Sequence, residues 1–545
     1  SRAEQSRAEQ SRAEQSRAEQ SRAEQVFDII SWLILAAAFL FLIFFMNARI
    51  DTMLDSDMSS ELILSKLLAQ QGKIITPDWY YSTEIRFLNT QLLYTLFFKL
   101  TSNWHLVRMA SYICLYLILL AAYWLLCKAM NCTRYFAITA AILLLPFSEG
   151  YFSFVLKGAY YIPHIAITFA TLALSERYLR QSGKKAMLFL GTNIVLAVIA
   201  GMGGPRQVLV LYLPLAVAAV LVWYKKRNQA TAWRKLAGTM AVVLGAGVGY
   251  GINTVYLARR YHFRQWDEMK FVGLDFSRLA QIFNGFLFSY GYQTGGLFSK
   301  KVLLANGACA LWLLMTVGMI VYVVRNRERV SGQYYRFAAF TGAAFGIYVL
   351  LYLFTNMSYR DRYNFPVIVL SIPLIAVFSK EANGLENWKK NTAVLLFMAL
   401  IGLNSAVFYR NTGRQDNTGE LRKVEQTLAE QQYTAGYATF WRANIMTELS
   451  NGTIEMWDWC DEGLENVQDV DQTYHWLQLV EHDSTHPDGK VFMLFSKDEF
   501  EKCTWRMQLR REHLVYDSEN YVVLGYENYD AMRAEAMQLQ DGSNR

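Results

Sequence analysis

Long runs of apolar residues, separated by short polar loops, dominate the chain between residues 26 and 409. A helix that crosses a bilayer needs about 20 such residues. The runs predict about eleven transmembrane helices, near 26–46, 106–127, 135–148, 160–175, 186–201, 207–224, 236–257, 302–324, 337–354, 364–378 and 391–409. This pattern is typical of a polytopic α-helical membrane protein.

The loop after the first predicted span, residues 48–105, carries two shorter apolar patterns. From Asp57 to Gln71 apolar side chains recur mostly at spacings of four and five, and Gly72 follows as a helix-ending residue. A second amphipathic stretch covers residues 86–100. Both stretches are too short or too polar to span a bilayer, so we predict two helices that lie in the membrane interface.

Hydrophobic density falls after Tyr409, and the pattern changes. Strand-like runs at 436–441, 490–496, 512–516 and 520–526 alternate with helical periodicity at 418–432, 442–450 and 473–482, and 517–520 predicts a hairpin turn. Residues 410–545 therefore predict a small α/β domain after the membrane domain of 26–409. Residues 1–25 are five copies of one pentad without an apolar stripe, which we interpret as an artificial tag.

Composition and charge predict how the chain is oriented in the membrane. Charged residues make up 18% of the chain, below the roughly 25% of soluble domains. Lys and Arg concentrate in alternate short loops, which predicts that those loops and the N-terminus are cytoplasmic and that 47–105 and the region after about 410 are extracytoplasmic. The net charge of +7 does not indicate nucleic-acid binding, because most basic residues lie in these loops.

Two carboxylates, Asp55 and Asp57, directly follow the first predicted span. A carboxylate at the membrane surface suits general-base chemistry, because it can take a proton from an acceptor hydroxyl. Capping of the following helix is an equally good interpretation, since Asp is favoured at a helix start. Two cysteines of the C-terminal domain, Cys460 and Cys503, could pair if the domain is extracytoplasmic.

Further charged residues lie in the loops predicted to be extracytoplasmic. Stabilising a departing lipid phosphate needs cations or hydrogen-bond donors, and the candidates are Glu84, Arg86, Lys157, His164, Arg206, Arg360 and Arg362. Structural alternatives stay open for each type: a solvated helix start at 84–86, a snorkelling lysine at 157, a hydrogen-bonded helix histidine at 164, and an Arg–Asp pair at 360–362.

Backbone and metal chemistry also enter the prediction. Gly203 and Gly204 before Arg206 allow close approach of the backbone to an anion, although a tight turn explains the glycines as well. Asp55, Asp57 and Glu84 together could hold a divalent cation such as Mg²⁺ or Mn²⁺. No other cofactor is indicated.

These features together resemble the GT-C superfamily of polyprenyl-phosphate-dependent glycosyltransferases. Its members include protein O-mannosyltransferases, the bacterial aminoarabinose transferases that modify lipid A, and bacterial surface-polysaccharide glycosyltransferases. The run from Asp57 to Gly72 is similar to the aminoarabinose transferase motif, so the resemblance gives Asp57 the catalytic role, with Asp55 as alternative. Glu84 matches a family acidic residue, but Ile85 stands where the family has Lys, and Arg86 follows one position on.

The resemblance implies transfer of a sugar from an undecaprenyl-phosphate-linked donor to a cell-surface glycan, glycolipid or polymer acceptor. A transporter or flippase of lipid-linked sugars is the main alternative, and it predicts polar groups at the membrane midplane and duplicated halves. The sequence shows neither feature. A non-catalytic receptor is a third alternative, but it leaves the first loop unexplained.

Overall fold

The computed structural model describes residues 2–543 except 86, 264–269, 296–298, 301, 358, 383–385, 460–471, 503 and 510, and it leaves out the side chains of 2–21, 361, 504–505 and 539–543. Arg86, Cys460 and Cys503 therefore lie outside the described residues. The helices of the first 412 residues are α1 (Arg2–Arg49), α2 (Ser56–Gln71), α3 (Gln91–Phe98), α4 (Trp104–Ala129), α5 (Phe136–Leu143), α6 (Ile162–Arg180), α7 (Gly183–Met202), α8 (Pro205–Lys226), α9 (Ala232–Val255), α10 (Leu279–Ser289), α11 (Leu303–Arg325), α12 (Gly332–Phe354), α13 (Arg362–Glu381) and α14 (Asn387–Thr412).

Nine helices in the described part of the chain are long and apolar enough to cross a membrane. They are α1 from Arg22 onward, α4, α7, α8, α9, α11, α12, α13 and α14. These nine match nine of the predicted spans, so a polytopic helical membrane protein is confirmed. The two other predicted spans coincide with α5, which has 8 residues, and α6, which has 19 residues and ends in charged side chains.

The region after α14 folds around a mixed sheet. Its helices are α15 (Gly419–Glu430), α16 (Phe440–Leu449), α17 (Lys497–Glu501), α18 (Thr504–Met507) and α19 (Tyr529–Ser543), and its strands are β3 (Ala435–Thr439), β4 (Glu455–Trp459), β6 (Val491–Ser496), β7 (Leu514–Asp517) and β8 (Tyr521–Tyr526). The strand order is β4-β3-β6-β8-β7. β3 is parallel to β4 and β6, and the β7–β8 hairpin continues the sheet antiparallel to β6. A small α/β sheet region is therefore confirmed.

A second, three-stranded sheet joins distant parts of the chain. It consists of β1 (Trp79–Tyr81) from the first loop, β2 (His262–Phe263) from a later loop and β5 (Gln478–Leu479) from the C-terminal region, in the order β2-β1-β5. The helix predicted at 473–482 is therefore wrong. Its apolar spacing fits a helix, but residues 478–479 pair with Tyr80 and Trp79 as an edge strand instead.

The loops gather at two ends of the helix bundle. At one end, which we call the site end, the Asn417 N–H donates to the Thr52 carbonyl at 2.9 Å, and β1 pairs with β2. At the other end, the opposite end, Arg134 pairs with Glu24 at 3.1 Å and Arg336 with Glu176 at 2.5 Å. These contacts place the loops in question at two different ends of the bundle, and the membrane orientation stays a prediction.

Candidate functional site

The start of α2 places the two aspartates differently. Asp55 is the N-cap residue: its backbone is extended, and its Oδ1 accepts the Met58 N–H at 3.0 Å. Lys157 Nζ donates to Asp55 Oδ2 at 2.8 Å, and the Tyr160 hydroxyl donates to Oδ1 at 3.3 Å. Asp55 therefore has its carboxylate committed to capping and to an ion pair.

Asp57 lies in the first turn of α2 and is half-buried. Within the described residues, no hydrogen bond or ion pair engages its carboxylate, although Arg362 and Lys157 are near enough to act on it. Protein surrounds the group on most sides, and this desolvation raises its pKa to about 6, with Asp55 adding to the rise and Arg362 opposing it. A carboxylate with this pKa is mostly ionised at neutral pH and still able to take a proton.

Arg362 supplies positive charge next to Asp57. Its guanidinium lies 5.8 Å from the Phe154 ring and 5.5 Å from the Tyr363 ring. Phe154 also lines a cavity of about 570 Å³ together with Ser148, Glu149 and Asn404, among other residues. Phe154 therefore connects the Arg362 guanidinium to a cavity with polar and aromatic walls, which Asp57 itself does not line.

Lys157 ends a π-helical turn, Phe152–Lys157, that follows the short helical segment at Glu149. Besides Asp55, its ammonium binds the Met53 carbonyl at 3.1 Å. Such π-turns are uncommon and occur often at functional sites. Lys157 therefore ties the end of this turn to the loop before α2.

Arg206 and Glu84 form a second charged group at the site end. Arg206 Nη2 lies 3.7 Å from Glu84 Oε1, and the guanidinium lies 5.5 Å from the Tyr161 ring and 5.4 Å from the Tyr363 ring. Gly204 has a φ of +97°, and a Cβ there would stand 2.5 Å from Glu84 Oε2. The glycine therefore permits close approach to a carboxylate of this chain itself.

Two predicted phosphate ligands have hydrogen-bond partners within the protein. His164 is buried in α6, where its Nδ1 accepts from Gln207 Nε2 at 2.8 Å, as the structural alternative predicts. Arg360 is exposed, and its backbone N–H donates to the Tyr352 hydroxyl at 3.5 Å. The structure therefore brings together Asp55, Asp57, Lys157 and Arg362, with Arg206 and Glu84 linked to Arg362 through Tyr363.

The carboxylates do not form the predicted cation site. Among the described residues, no group of three or more His, Cys, Asp or Glu side chains is arranged to hold a metal ion. Asp55 is bonded to Lys157, and Glu84 is paired with Arg206. The predicted set of Asp55, Asp57 and Glu84 therefore does not fit a bound divalent cation in this arrangement.

One charged pair next to this site, Arg108 with Glu448, is not among the residues predicted from the sequence. Arg108 lies in α4 and is 1% exposed, and both of its terminal nitrogens and its Nε point at polar partners. Its main partner is Glu448 of α16, at 2.6 Å. A charged residue inside an apolar span is a signal of function or pairing, and Arg108 in the predicted span 106–127 gave that signal.

Comparison with known proteins supports the fold. No family model and no curated protein matches the chain. Among solved structures, ArnT from Cupriavidus metallidurans in the apo state is similar, with 11% sequence identity, a TM-score of 0.50, and coverage of 90% of this chain and 98% of ArnT. ArnT from the same organism bound to undecaprenyl phosphate gives 11% identity, a TM-score of 0.49, and coverage of 90% and 97%.

The TM-score of 0.50 over 90% of the chain shows a likeness of fold, and at 11% identity the likeness extends to the fold alone. The expected resemblance to GT-C transferases of the aminoarabinose type is confirmed at that level. The chain is a multi-pass membrane protein with an ArnT-like fold, in which the first loop and the C-terminal α/β region meet at one end of the bundle.

Proposed function

We propose that this protein is a GT-C glycosyltransferase that moves a sugar from a polyprenyl-phosphate donor to an acceptor hydroxyl. Asp57 is the general base of the proposed reaction. The observation that carries the proposal is the uncommitted Asp57 carboxylate, with a pKa of about 6, beside the Arg362 guanidinium. The fold shared with ArnT supports the reaction class.

The donor class extends that likeness one step. ArnT binds undecaprenyl phosphate, and we assign an undecaprenyl-phosphate-linked sugar to this chain as the donor. The acceptor in the proposal is a cell-surface glycan, glycolipid or polymer. The cavity of about 570 Å³ next to Phe154 supports it, because amide, hydroxyl and aromatic groups suit a saccharide.

The proposed reaction needs one proton transfer and one bond exchange. Asp57 takes the proton from the acceptor hydroxyl while the oxygen of that hydroxyl bonds to the anomeric carbon of the donor sugar. The bond between that carbon and the phosphate oxygen breaks, and its electron pair leaves with the lipid phosphate. Arg362 stabilises the negative charge that develops on this phosphate, and Arg206, which shares the Tyr363 ring with Arg362, is the second cation of the proposal.

Lys157 and Asp55 have an indirect role in this reaction. Their ion pair at 2.8 Å neutralises a second negative charge beside Asp57. Without Lys157, two carboxylates would repel each other, and the pKa of Asp57 would rise further above its present value. The pair therefore keeps Asp57 ionised and available near neutral pH.

The proposal includes the membrane topology. Lys and Arg are concentrated in the loops at the opposite end, which makes that end cytoplasmic and the site end extracytoplasmic. In this arrangement the N-terminus is cytoplasmic, and α2 and α3 lie near the outer interface. The predicted spans 135–148 and 160–175, which contain α5 and most of α6, bring the total to eleven, and residues 410–545 form an extracytoplasmic domain. The site then lies at the level of the donor phosphate.

The test is release of undecaprenyl phosphate from a radiolabelled undecaprenyl-phosphate sugar in detergent, with a crude cell-envelope fraction as acceptor. We expect the wild type to release the lipid and Asp57→Asn to lower kcat by about 100-fold or more, since general bases contribute that much. Asp275→Asn is the matched control, because Asp275 is a partly exposed carboxylate that caps a short 3-10 helix (Phe276–Arg278) and Asn preserves this cap.

A fully active Asp57→Asn variant would exclude Asp57 as the base. If labelled donor binds but no release occurs with any envelope fraction, the transferase proposal fails. Movement of the intact labelled lipid across vesicles would then support the flippase alternative.

A further inference from the structure

The C-terminal region binds the chain segment that carries Asp57. The Thr418 hydroxyl donates to the Asp51 carbonyl, and the Asn417 N–H donates to the Thr52 carbonyl at 2.9 Å. The Ser56 hydroxyl donates to the Phe440 carbonyl at the start of α16. The last turn before α2 is therefore held by contacts from residues more than 350 positions away in the sequence.

A buried ion pair extends this attachment into α2. Arg108 Nε donates to Glu448 Oε1 at 2.8 Å, and Arg108 Nη2 donates to Glu448 Oε2 at 2.6 Å. The same Nη2 also donates to the Met58 carbonyl at 3.1 Å. Because Met58 directly follows Asp57, the guanidinium fixes the backbone next to the candidate base.

The Arg108 guanidinium is also connected, through Tyr112, to Lys157 and Asp55. Arg108 Nη1 donates to the Tyr112 hydroxyl at 3.3 Å, and that hydroxyl donates to the Lys157 carbonyl. Lys157 in turn binds Asp55. One buried side chain is therefore connected to the backbone beside Asp57 and to the lysine that neutralises Asp55.

The energetics of the Arg108–Glu448 pair favour a role in positioning neighbouring groups over a role in stabilising the fold. A buried ion pair loses about as much by desolvation as it gains by attraction, and apolar side chains of similar volume often replace it without loss of stability. Directed hydrogen bonds to the Met58 carbonyl and Tyr112 have no apolar replacement. The Arg108–Glu448 pair therefore fixes the positions of the groups that Arg108 contacts.

We propose that Glu448 and Arg108 are positioning residues for sugar transfer, and that the C-terminal region is thereby a necessary part of the active site. The inference rests on the proposed function, in which Asp57 is the base. Glu448 orients the Arg108 guanidinium, and Arg108 then holds the Met58 carbonyl and, through Tyr112, Lys157. Neither residue contacts the reacting atoms.

The chain provides a matched control at the opposite end. Arg336 Nε donates to Glu176 Oε1 at 2.5 Å, and Arg336 Nη2 donates to Glu176 Oε2 at 2.6 Å. This pair joins α12 to α6 with the same bidentate geometry, and Glu176 is also buried. It has no contact with α2, so its removal tests what an interhelical Arg–Glu pair does away from the site.

The experiment compares Arg108→Met/Glu448→Leu with Arg336→Met/Glu176→Leu in the undecaprenyl-phosphate release assay. We expect both double variants to elute as monodisperse protein with melting temperatures close to the wild type. The first should lower kcat by about 10-fold to 100-fold, as small misplacements of a catalytic group do, with KM for the donor unchanged. It should also move the acid limb of the pH profile, whereas the second should change neither.

A folded Arg108→Met/Glu448→Leu variant with wild-type kcat and pH profile would overturn the inference. A wild type that releases no lipid would instead refute the proposed function, and with it the reaction that these residues would position. Should the double variant not fold, Tyr112→Phe decides, because it removes only the hydroxyl between Arg108 and Lys157. It should lower kcat several-fold at constant KM, and an unchanged kcat would count against the inference.

Discussion

The opposite end and the site end of the bundle both contain an Arg–Glu pair with a buried glutamate, but the pairs differ in what surrounds them. At the opposite end Arg336 and Glu176 form a bidentate pair between two helices. At the site end Arg108 and Glu448 form a similar pair that also binds the backbone beside Asp57. The same chemistry therefore joins helices at one end and, in our proposal, orients a base at the other.

The contrast continues in the smaller groups. Asp55 and Asp57 are two positions apart, yet Asp55 caps α2 and pairs with Lys157, whereas Asp57 has a raised pKa. Among the described residues, no hydrogen bond or ion pair engages the Asp57 carboxylate. The difference arises because Lys157, from a distant loop, binds Asp55. This tertiary contact gives two otherwise similar aspartates different roles: Asp55 is structural, and Asp57 is the candidate base.

The largest expected effect concerns the two pairs themselves. Glu448→Leu leaves the Arg108 charge buried without its partner, which should lower the free energy of unfolding by about 3–5 kcal/mol. Glu176→Leu should be less costly, because Arg336 is 19% exposed and Arg108 only 1%. SDS-titration unfolding, followed by tryptophan fluorescence, measures both losses. Equal losses would contradict the difference in burial.

A smaller effect is expected at Gly204. Gly204→Ala forces a residue with a side chain into a positive-φ conformation and brings its Cβ to 2.5 Å from Glu84. We expect a loss of about 1–3 kcal/mol and a displaced Glu84. The control is Gly247→Ala, because Gly247 lies in α9 with nothing within 4 Å of the added Cβ.

Thermal melting of the two glycine variants checks this prediction. Gly247→Ala should be neutral or stabilise by up to about 1 kcal/mol, since Ala is the better helix former. A Gly204→Ala variant as stable as Gly247→Ala would mean that Glu84 moves away without loss.

The smallest expected effect is a shift in pH dependence. Because the base must be ionised, kcat/KM should rise with pH through an apparent pKa of about 6. Arg362→Met removes a positive charge that lowers the pKa of Asp57, so the acid limb should move to higher pH. Asp55→Asn removes a negative charge that raises this pKa, so the limb should move to lower pH.

Initial rates between about pH 5 and about pH 8 bracket the expected limb. Stability of each variant over that range, measured by recovery of activity at neutral pH, is the control. Shifts of the same sign for Arg362→Met and Asp55→Asn would contradict the electrostatic account of Asp57.

Much of the fold was predictable because it depends on local patterns. Nine predicted spans coincide with long apolar helices, and Gly72 ends α2 with a φ of 66°. The turn at 517–520 joins β7 and β8. In each case the signal lies within one turn or one segment, so no distant contact is needed to decide it.

Strand β4 and the arrangement of the site were harder to predict from the sequence, because contacts with distant residues decide both. β4 (Glu455–Trp459) has only five residues, and it becomes a strand by pairing in parallel with β3. The His164 side chain could bind a phosphate, but it is hydrogen-bonded to Gln207 inside the bundle. Its place depends on how α6 packs against α8, which no local pattern contains.

The sequence by itself determined the membrane helices, the alternation of basic loops and the carboxylates at the start of α2. These follow from hydrophobic length, charge and helix-start preference, which act over a few residues. Only the tertiary structure decided that Asp55 is paired, that Asp57 is not, and that Glu448 is connected to both through Arg108. Those outcomes depend on contacts between residues about 50 to more than 300 positions apart, because burial and charge pairing are set by packing.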